Sequence, residues 1–235
     1  MGTELAILLG TAASLGLVHT LVGPDHYLPF VMMARVGKWS IRKTALVTFL
    51  CGVGHILGSV ALAFVGIAFG VALSKLKAVE WARGEVAAWL LITFGFTYAV
   101  YGLWRAIKRR PHEHPHEHGV SHSHPHTHTG SHAHPHGVSD SGSLTPWVLF
   151  TIFVFGPCEC LIPLLMYTAA VKSRLAVALV AGVFGVVTIL TMLVVVIVSA
   201  LGTRVLSLGR AERYSHALAG LVIFACGGAI KWLGM

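Results

Sequence analysis

The chain has 235 residues, 55% of them hydrophobic and only 11% charged, with a mean hydropathy of +0.77 and a formal net charge of +8. Soluble domains carry about 25% charged residues, so this composition excludes a chain whose surface lies mostly in water. The basic residues are scattered through short connections and form no aromatic-interleaved stripe, which argues against nucleic acid, and the four cysteines all sit in apolar segments, which gives no disulfide framework.

A hydrocarbon layer about 30 Å thick needs roughly 20 apolar residues per helix. Six stretches qualify: 4–22, 44–74, 86–105, 146–170, 174–201 and 215–234. The expected fold is therefore an all-α integral membrane protein with six transmembrane helices, since a helix satisfies its backbone polar groups within itself. Long continuous apolar runs do not alternate as barrel strands would. The first run lacks a positively charged leader and is expected to be a retained helix, not a cleaved signal. The second is long for one crossing and is expected to tilt or to end outside the lipid.

The first span closes on His19-Thr20-Leu21-Val22-Gly23-Pro24-Asp25-His26. Two imidazoles and a carboxylate at this density suit Ni²⁺, Co²⁺ or Zn²⁺. Pro24 lacks an N–H and Gly23 permits a bend, so a break here would turn His19 and the Asp25-His26 pair toward one point. The structural alternative is a helix end at the headgroups with Asp25 as a cap; the cost of an imidazole and a carboxylate near lipid favours a site. In the second span, Gly54-His55-Ile56-Leu57-Gly58-Ser59 offers a further imidazole, as a ligand or as a hydrogen-bond partner across a close helix contact.

Between the third and fourth spans lies a polar tract, 106–145, expected to be disordered. It holds eleven of the fifteen histidines: His112, His114, His116, His118, His122, His124, His126, His128, His132, His134 and His136. The Pro, Ser, Gly and Thr between them prevent packing. Neutral imidazoles at this density bind divalent transition metals without selectivity, so the tract is expected to capture, buffer or sense the ion; a merely solvated, pH-responsive linker is the alternative.

The fourth span contains Gly156-Pro157-Cys158-Glu159-Cys160-Leu161-Ile162-Pro163. On this reading Glu159 is the only acidic residue deep in an apolar span, hence a candidate for coordination or proton exchange. Cys158 and Cys160 are soft ligands or simply packing. His216, at the start of the sixth span, reads as interfacial.

The Gly-Pro pairs at 23 and 156 each precede a polar cluster and a second proline, Pro29 and Pro163. Their offset of 133 residues also carries His55 onto Thr188. The expected division is 1–105 as a first three-helix repeat, 106–145 as the histidine-rich loop and 146–235 as a second repeat. Three crossings per copy invert the second copy, and Gly/Pro-interrupted helices in matching positions point to a transporter's midplane site. The connections 23–43, 106–145 (with its margin) and 202–214 hold eleven Lys and Arg against six on the other side. The positive-inside rule then puts the histidine loop in the cytoplasm and both termini outside.

These residues resemble a known family. His19-x5-Asp25-His26, Gly54-His55, and Gly156-Pro157-Cys158-Glu159 with Pro163 are similar to motifs of the urease-accessory UreH/HupE-like and nickel/cobalt-efflux NicO-type membrane proteins. That superfamily includes sulfite exporters and CcdA/DsbD-type thiol-electron carriers. The resemblance spans nearly all six helices. It implies transport of a divalent metal, nickel or cobalt before zinc, with the ion as substrate and no prosthetic group or catalysis. It also implies His19, Asp25, His26 and His55 as metal residues and a prokaryotic inner or plasma membrane as the location, while Glu159, Cys158, Cys160 and Thr188 are further pathway candidates from the residues themselves. A cytoplasmic metallochaperone is the partner such a loop would serve. The chain departs from high-affinity nickel permeases, which space His-x4-Asp-His, and from thiol carriers, which need a reactive cysteine in each half where this chain has Asp25. A thiol-disulfide electron carrier and a non-transporting metal sensor or platform remain the competing expectations.

Overall fold

The computed structural model describes residues 2–108, 144–205 and 209–233, so the histidine-rich tract lies outside the described residues. The described chain is helical: α1 (Gly2–Val22), a 3-10 turn (Pro24–His26), α2 (Leu28–Val36), α3 (Ile41–Phe69), α4 (Leu73–Lys108), α5 (Leu144–Phe155), α6 (Leu161–Val171), α7 (Arg174–Val205), a second 3-10 segment (Gly209–Tyr214) and α8 (Ser215–Leu233). Among the described residues five helices are long and apolar enough to cross a membrane: Gly2–Val22, Ile41–Phe69, Leu73–Lys108, Arg174–Thr203 and Glu212–Trp232. The outer surface of the bundle suits lipid, exposing Phe69, Leu175, Val198 and Trp232 among many other large apolar side chains.

The stretch 146–170 is two helices and not one continuous crossing. α5 has 12 residues and α6 has 11, each well short of the roughly 20 a crossing needs. Gly156-Pro157 interrupts them, because a proline can neither donate to the preceding turn nor clear its carbonyl. The long second run ends at Phe69, where Gly70 takes the left-handed conformation (φ 61°) that closes a helix. Its N-terminus is capped by Ser40, whose hydroxyl accepts from the Lys43 N–H at 3.2 Å.

One boundary differs more substantially from the expectation. Residues 75–85, read as a polar connection, belong to α4, which begins at Leu73. Lys, Glu and Arg are good helix formers; hydropathy marks what lipid tolerates, not where a helix starts.

The part of α4 from about residue 85 onward packs against α8 through glycines. A Cβ on Gly95 would fall 2.3 Å from the Phe224 nitrogen, and one on Gly220 2.2 Å from the Ala99 nitrogen, so here backbone meets backbone. Elsewhere α1 packs on α7 and α5 on α3; α2 lies against α7 and α8, and α6 against α3 and α4; α3 and α7 cross each other. Two apolar cores result. One gathers Leu161, Leu165, Val180 and Phe184, the other Phe30, Leu149, Phe153 and Met192. The interrupted segments 23–27 and 156–160 lie where these cores meet.

Candidate metal centre

The first interruption is built by its sequence. The Gly23 N–H still bonds the His19 carbonyl at 3.1 Å, closing α1, but Pro24 has no N–H to continue the ladder. The chain makes a tight turn, with His26 N–H to Gly23 O at 3.1 Å and Tyr27 N–H to Pro24 O at 3.3 Å. Helix resumes at Leu28, with Pro29 in its first turn, where a missing donor costs nothing.

That turn folds His26 back beside His19, with ring centroids 4.6 Å apart, and both meet His55 of α3, at 5.2 Å from His26 and 6.0 Å from His19. One ligand nitrogen from each of the three lies within 4.8 Å of the others. His26 and His55 are 4% and 2% exposed. Phe184 from one core and Phe153 from the other flank the cluster.

Hydrogen bonding fixes the two buried rings in a form that can ligate. His26 Nδ1 lies 3.2 Å from the Gly23 carbonyl and 3.2 Å from Asp25 Oδ1; His55 Nδ1 lies 3.4 Å from the Phe153 carbonyl. A carbonyl can only accept, so each Nδ1 donates and each Nε2 keeps its lone pair. Both Nε2 atoms are buried without a hydrogen-bond partner. Buried polar atoms are rarely left so. An imidazole whose outer N–H is held by a carbonyl or carboxylate, with the other nitrogen free, is the arrangement that metal-binding histidines use.

Glycine is required at both interruptions by the rings themselves. A Cβ on Gly23 would stand 2.5 Å from His26 Nδ1, and one on Gly156 2.9 Å from His55 Nδ1. Pro157 has a second effect: lacking an N–H, it leaves the Phe153 carbonyl without its usual helical partner four residues on. That carbonyl is the one His55 uses.

A cleft of about 310 Å³ reaches this cluster, lined by His19, Asp25, His26, Glu159 and Cys160 among others. Behind it, His26, His55, Phe153 and Gly156 border a void of only about 20 Å³. A third cavity, about 250 Å³, lies beside Glu80, Trp81 and Glu159.

The positions singled out in the sequence thus separate. His19, His26 and His55 converge, and Asp25 sits one step out, against the far nitrogen of His26. Cys158 is buried with its Sγ 3.7 Å from His19 Nε2, and Cys160 is half-buried on the cleft wall. Thr188 is buried on α7 beside Gly16 of α1, with no hydrogen-bond partner for its hydroxyl. His216 meets the Tyr98 hydroxyl at 2.9 Å, between α8 and α4.

Glu159 requires correction. It is exposed, whereas the deeply buried acid is Glu80, only 1% exposed and ion-paired with Arg83. Both come from the stretch read as a polar connection, so sequence reasoning missed an acid and an arginine that enter the bundle. The available signal was the Glu80-x-x-Arg83 spacing, which puts opposite charges on one helix face next to an apolar run.

Compared with protein-family models, with curated proteins and with solved structures, the chain matches none.

Proposed function

We propose that this chain is a membrane transporter of a divalent transition metal ion, nickel or cobalt first and zinc third, which passes through the three-histidine cluster. One observation carries the proposal: two buried imidazoles with their Nδ1 protons engaged and their Nε2 atoms unpartnered, converging with a third imidazole on a cleft. Imidazole nitrogen suits these borderline ions. Asp25 behind His26 adds a negative charge and strengthens its basicity. Three nitrogens leave coordination positions open, so the ion is held firmly enough to be selected and loosely enough to leave.

In this reading α5 and α6 together make the sixth crossing, and residues 1–105 and 146–235 are inverted repeats. The packing supports the repeat in part, because exchanging halves maps several contacts onto others, while α4–α5 and α3–α4 have no comparable counterpart among the described residues. The α1–α7 contact becomes α5–α3, α2–α7 becomes α6–α3, and α2–α8 becomes α6–α4, while α3–α7 and α4–α8 map onto themselves. The histidine-rich loop, on the cytoplasmic side, gathers the ion or receives it from a metallochaperone.

Flux of Ni²⁺, Co²⁺ and Zn²⁺ in proteoliposomes holding the full chain tests the proposal. Metal-specific flux is expected from the wild type and near-background flux from His26→Ala and His55→Ala. Absence of wild-type flux, or flux undiminished from wild type in both variants, overturns it.

A further inference from the structure

The interruption between α5 and α6 opens a backbone bond that a continuous helix would close, from the Cys158 N–H to the Val154 carbonyl. Both halves of that lost bond are occupied from α4. Glu80 Oε2 accepts from the Cys158 N–H at 3.1 Å, and Arg83 Nη2 donates to the Val154 carbonyl at 2.8 Å. The same Nη2 lies 3.4 Å from the Gly156 carbonyl, while Arg83 Nη1 reaches Glu80 Oε1 at 2.5 Å and Ser59 Oγ at 3.3 Å. An ion pair has been inserted into a helix in place of one backbone hydrogen bond.

Its surroundings are shaped for it. Gly58 of α3 leaves room for the guanidinium, since a Cβ there would stand 2.6 Å from Nη2. Gly84 brings α4 against Pro157, whose ring would lie 3.0 Å from an added Cβ. A buried ion pair costs its desolvation and repays it only with good geometry and full hydrogen bonding. Here both members are spent on backbone groups that a lipid-embedded break would otherwise leave unpaired.

We infer that Glu80 and Arg83 are positioning residues for the histidine cluster, acting through the backbone of residues 153–158. That short stretch does two things at the site. Its Phe153 carbonyl holds the Nδ1 proton of His55, and its Cys158 packs against His19. If the pair is removed, the stretch can re-form helix or drift, and the carbonyl that orients His55 moves with it. The first interruption receives no such clamp from α8 among the described contacts; one break is pinned from outside, and the other carries the imidazoles.

The inference rests on the metal reading, so its test has one arm with metal and one without. The full chain in detergent is titrated with Co²⁺, following the visible d–d absorption, and amide hydrogen exchange is measured over residues 153–161 in the absence of metal. The principal variant is Glu80→Leu/Arg83→Met, which removes both charges together and strands neither. Arg83→Lys, which keeps charge balance but replaces the planar fork that spans Ser59, Glu80, Val154 and Gly156 with a compact ammonium, stands in should the double variant fail to fold. The control is Glu85→Gln/Lys231→Met, which removes an α4 ion pair to α8 whose members bond each other and not the backbone of residues 153–158.

The double variant is expected to exchange faster over 153–161 and to bind Co²⁺ at least tenfold more weakly with an altered spectrum, the usual cost of losing an outer-shell partner. Arg83→Lys should show the same changes in smaller degree, and the control neither. Unchanged exchange in Arg83→Lys and the double variant overturns the clamp, whatever the metal does. Wild-type Co²⁺ binding with equal affinity and spectrum in both variants overturns the positioning role while leaving the metal centre standing. A wild type that binds no Co²⁺ overturns the metal reading and the positioning role, leaving faster exchange to support the clamp alone.

Discussion

Gly156 and Pro157 show how two adjacent residues can serve one imidazole. The glycine gives His55 Nδ1 space, and the proline adds no N–H to the Phe153 carbonyl that Nδ1 shares with the Gly156 N–H. Replacing Pro157 with Ala returns an N–H to compete for that carbonyl and gains about 3 kcal/mol of intrinsic helix propensity. Pro157→Ala is therefore expected to keep or raise the thermal midpoint while lowering Ni²⁺ or Co²⁺ flux severalfold, a split visible in parallel melting and transport assays. Gly23→Ala and Gly156→Ala should weaken Co²⁺ binding by about tenfold or more. Gly23→Ala should do more harm, because its added carbon falls closer to an imidazole nitrogen, and titration of the two side by side decides the order. The Gly-Pro pairs were legible as breaks, and the histidines as candidates, from residue type alone. Which atom each glycine makes room for was not, since it depends on the neighbouring helix, 98 residues away from Phe153 in the case of His55.

α4 illustrates what hydropathy conceals in an element. Its apolar run was visible from residue 86, but its first turns hold Lys75, Lys77, Glu80 and Arg83, which read as a connection until the Cys158 N–H and the Val154 carbonyl are seen to partner Glu80 and Arg83. A charge inside a bundle cannot be told from a charge in water without knowing what it faces. The opposite face of α4 makes a sharper test of packing. Where Gly220 meets the Ala99 nitrogen there is no side chain to move aside, so Gly220→Val must part the two helices. The loss should exceed the roughly 1–3 kcal/mol of ordinary overpacking and appear as a lower melting temperature or an aggregated detergent elution profile. Gly182 of α7 has nothing within 4 Å of an added Cβ. Gly182→Ala should be neutral or more stable by up to about 1 kcal/mol, and a strongly destabilised Gly182→Ala would refute this account of the seam.

At the scale of the molecule, the Gly-Pro offset of 133 residues suggested two related halves, yet the offset could not show that the halves exchange partners, with α1 on α7 and α5 on α3. Contacts of that kind are between residues remote in sequence and leave no local trace. The proposed repeat is also chemically unequal. All three converging histidines come from the first half, and 133 residues on from them the second half has Ile152, Glu159 and Thr188. On the proposed reading the histidine-rich loop supplements the three-histidine cluster and does not form it. Deleting residues 112–136 should preserve maximal flux and raise the half-saturating metal concentration severalfold; complete loss of flux would assign the loop an indispensable role.

The sizes of the cleft and of the void behind it have a further bearing on any ion that passes. A water molecule's share of liquid volume is about 30 Å³, and a void needs about 10–15 Å³ to hold one. The cleft of about 310 Å³ thus admits an ion still wearing a shell of six waters, whereas the void of about 20 Å³ beside His26 and His55 has space for one small particle. On the proposed reading, an ion going from the cleft to the void would shed waters beside the imidazoles. Throughput would then follow how readily each ion exchanges its waters, with zinc ahead of cobalt and cobalt ahead of nickel. Affinity would rank them differently, and the ion held best would be the slowest to cross.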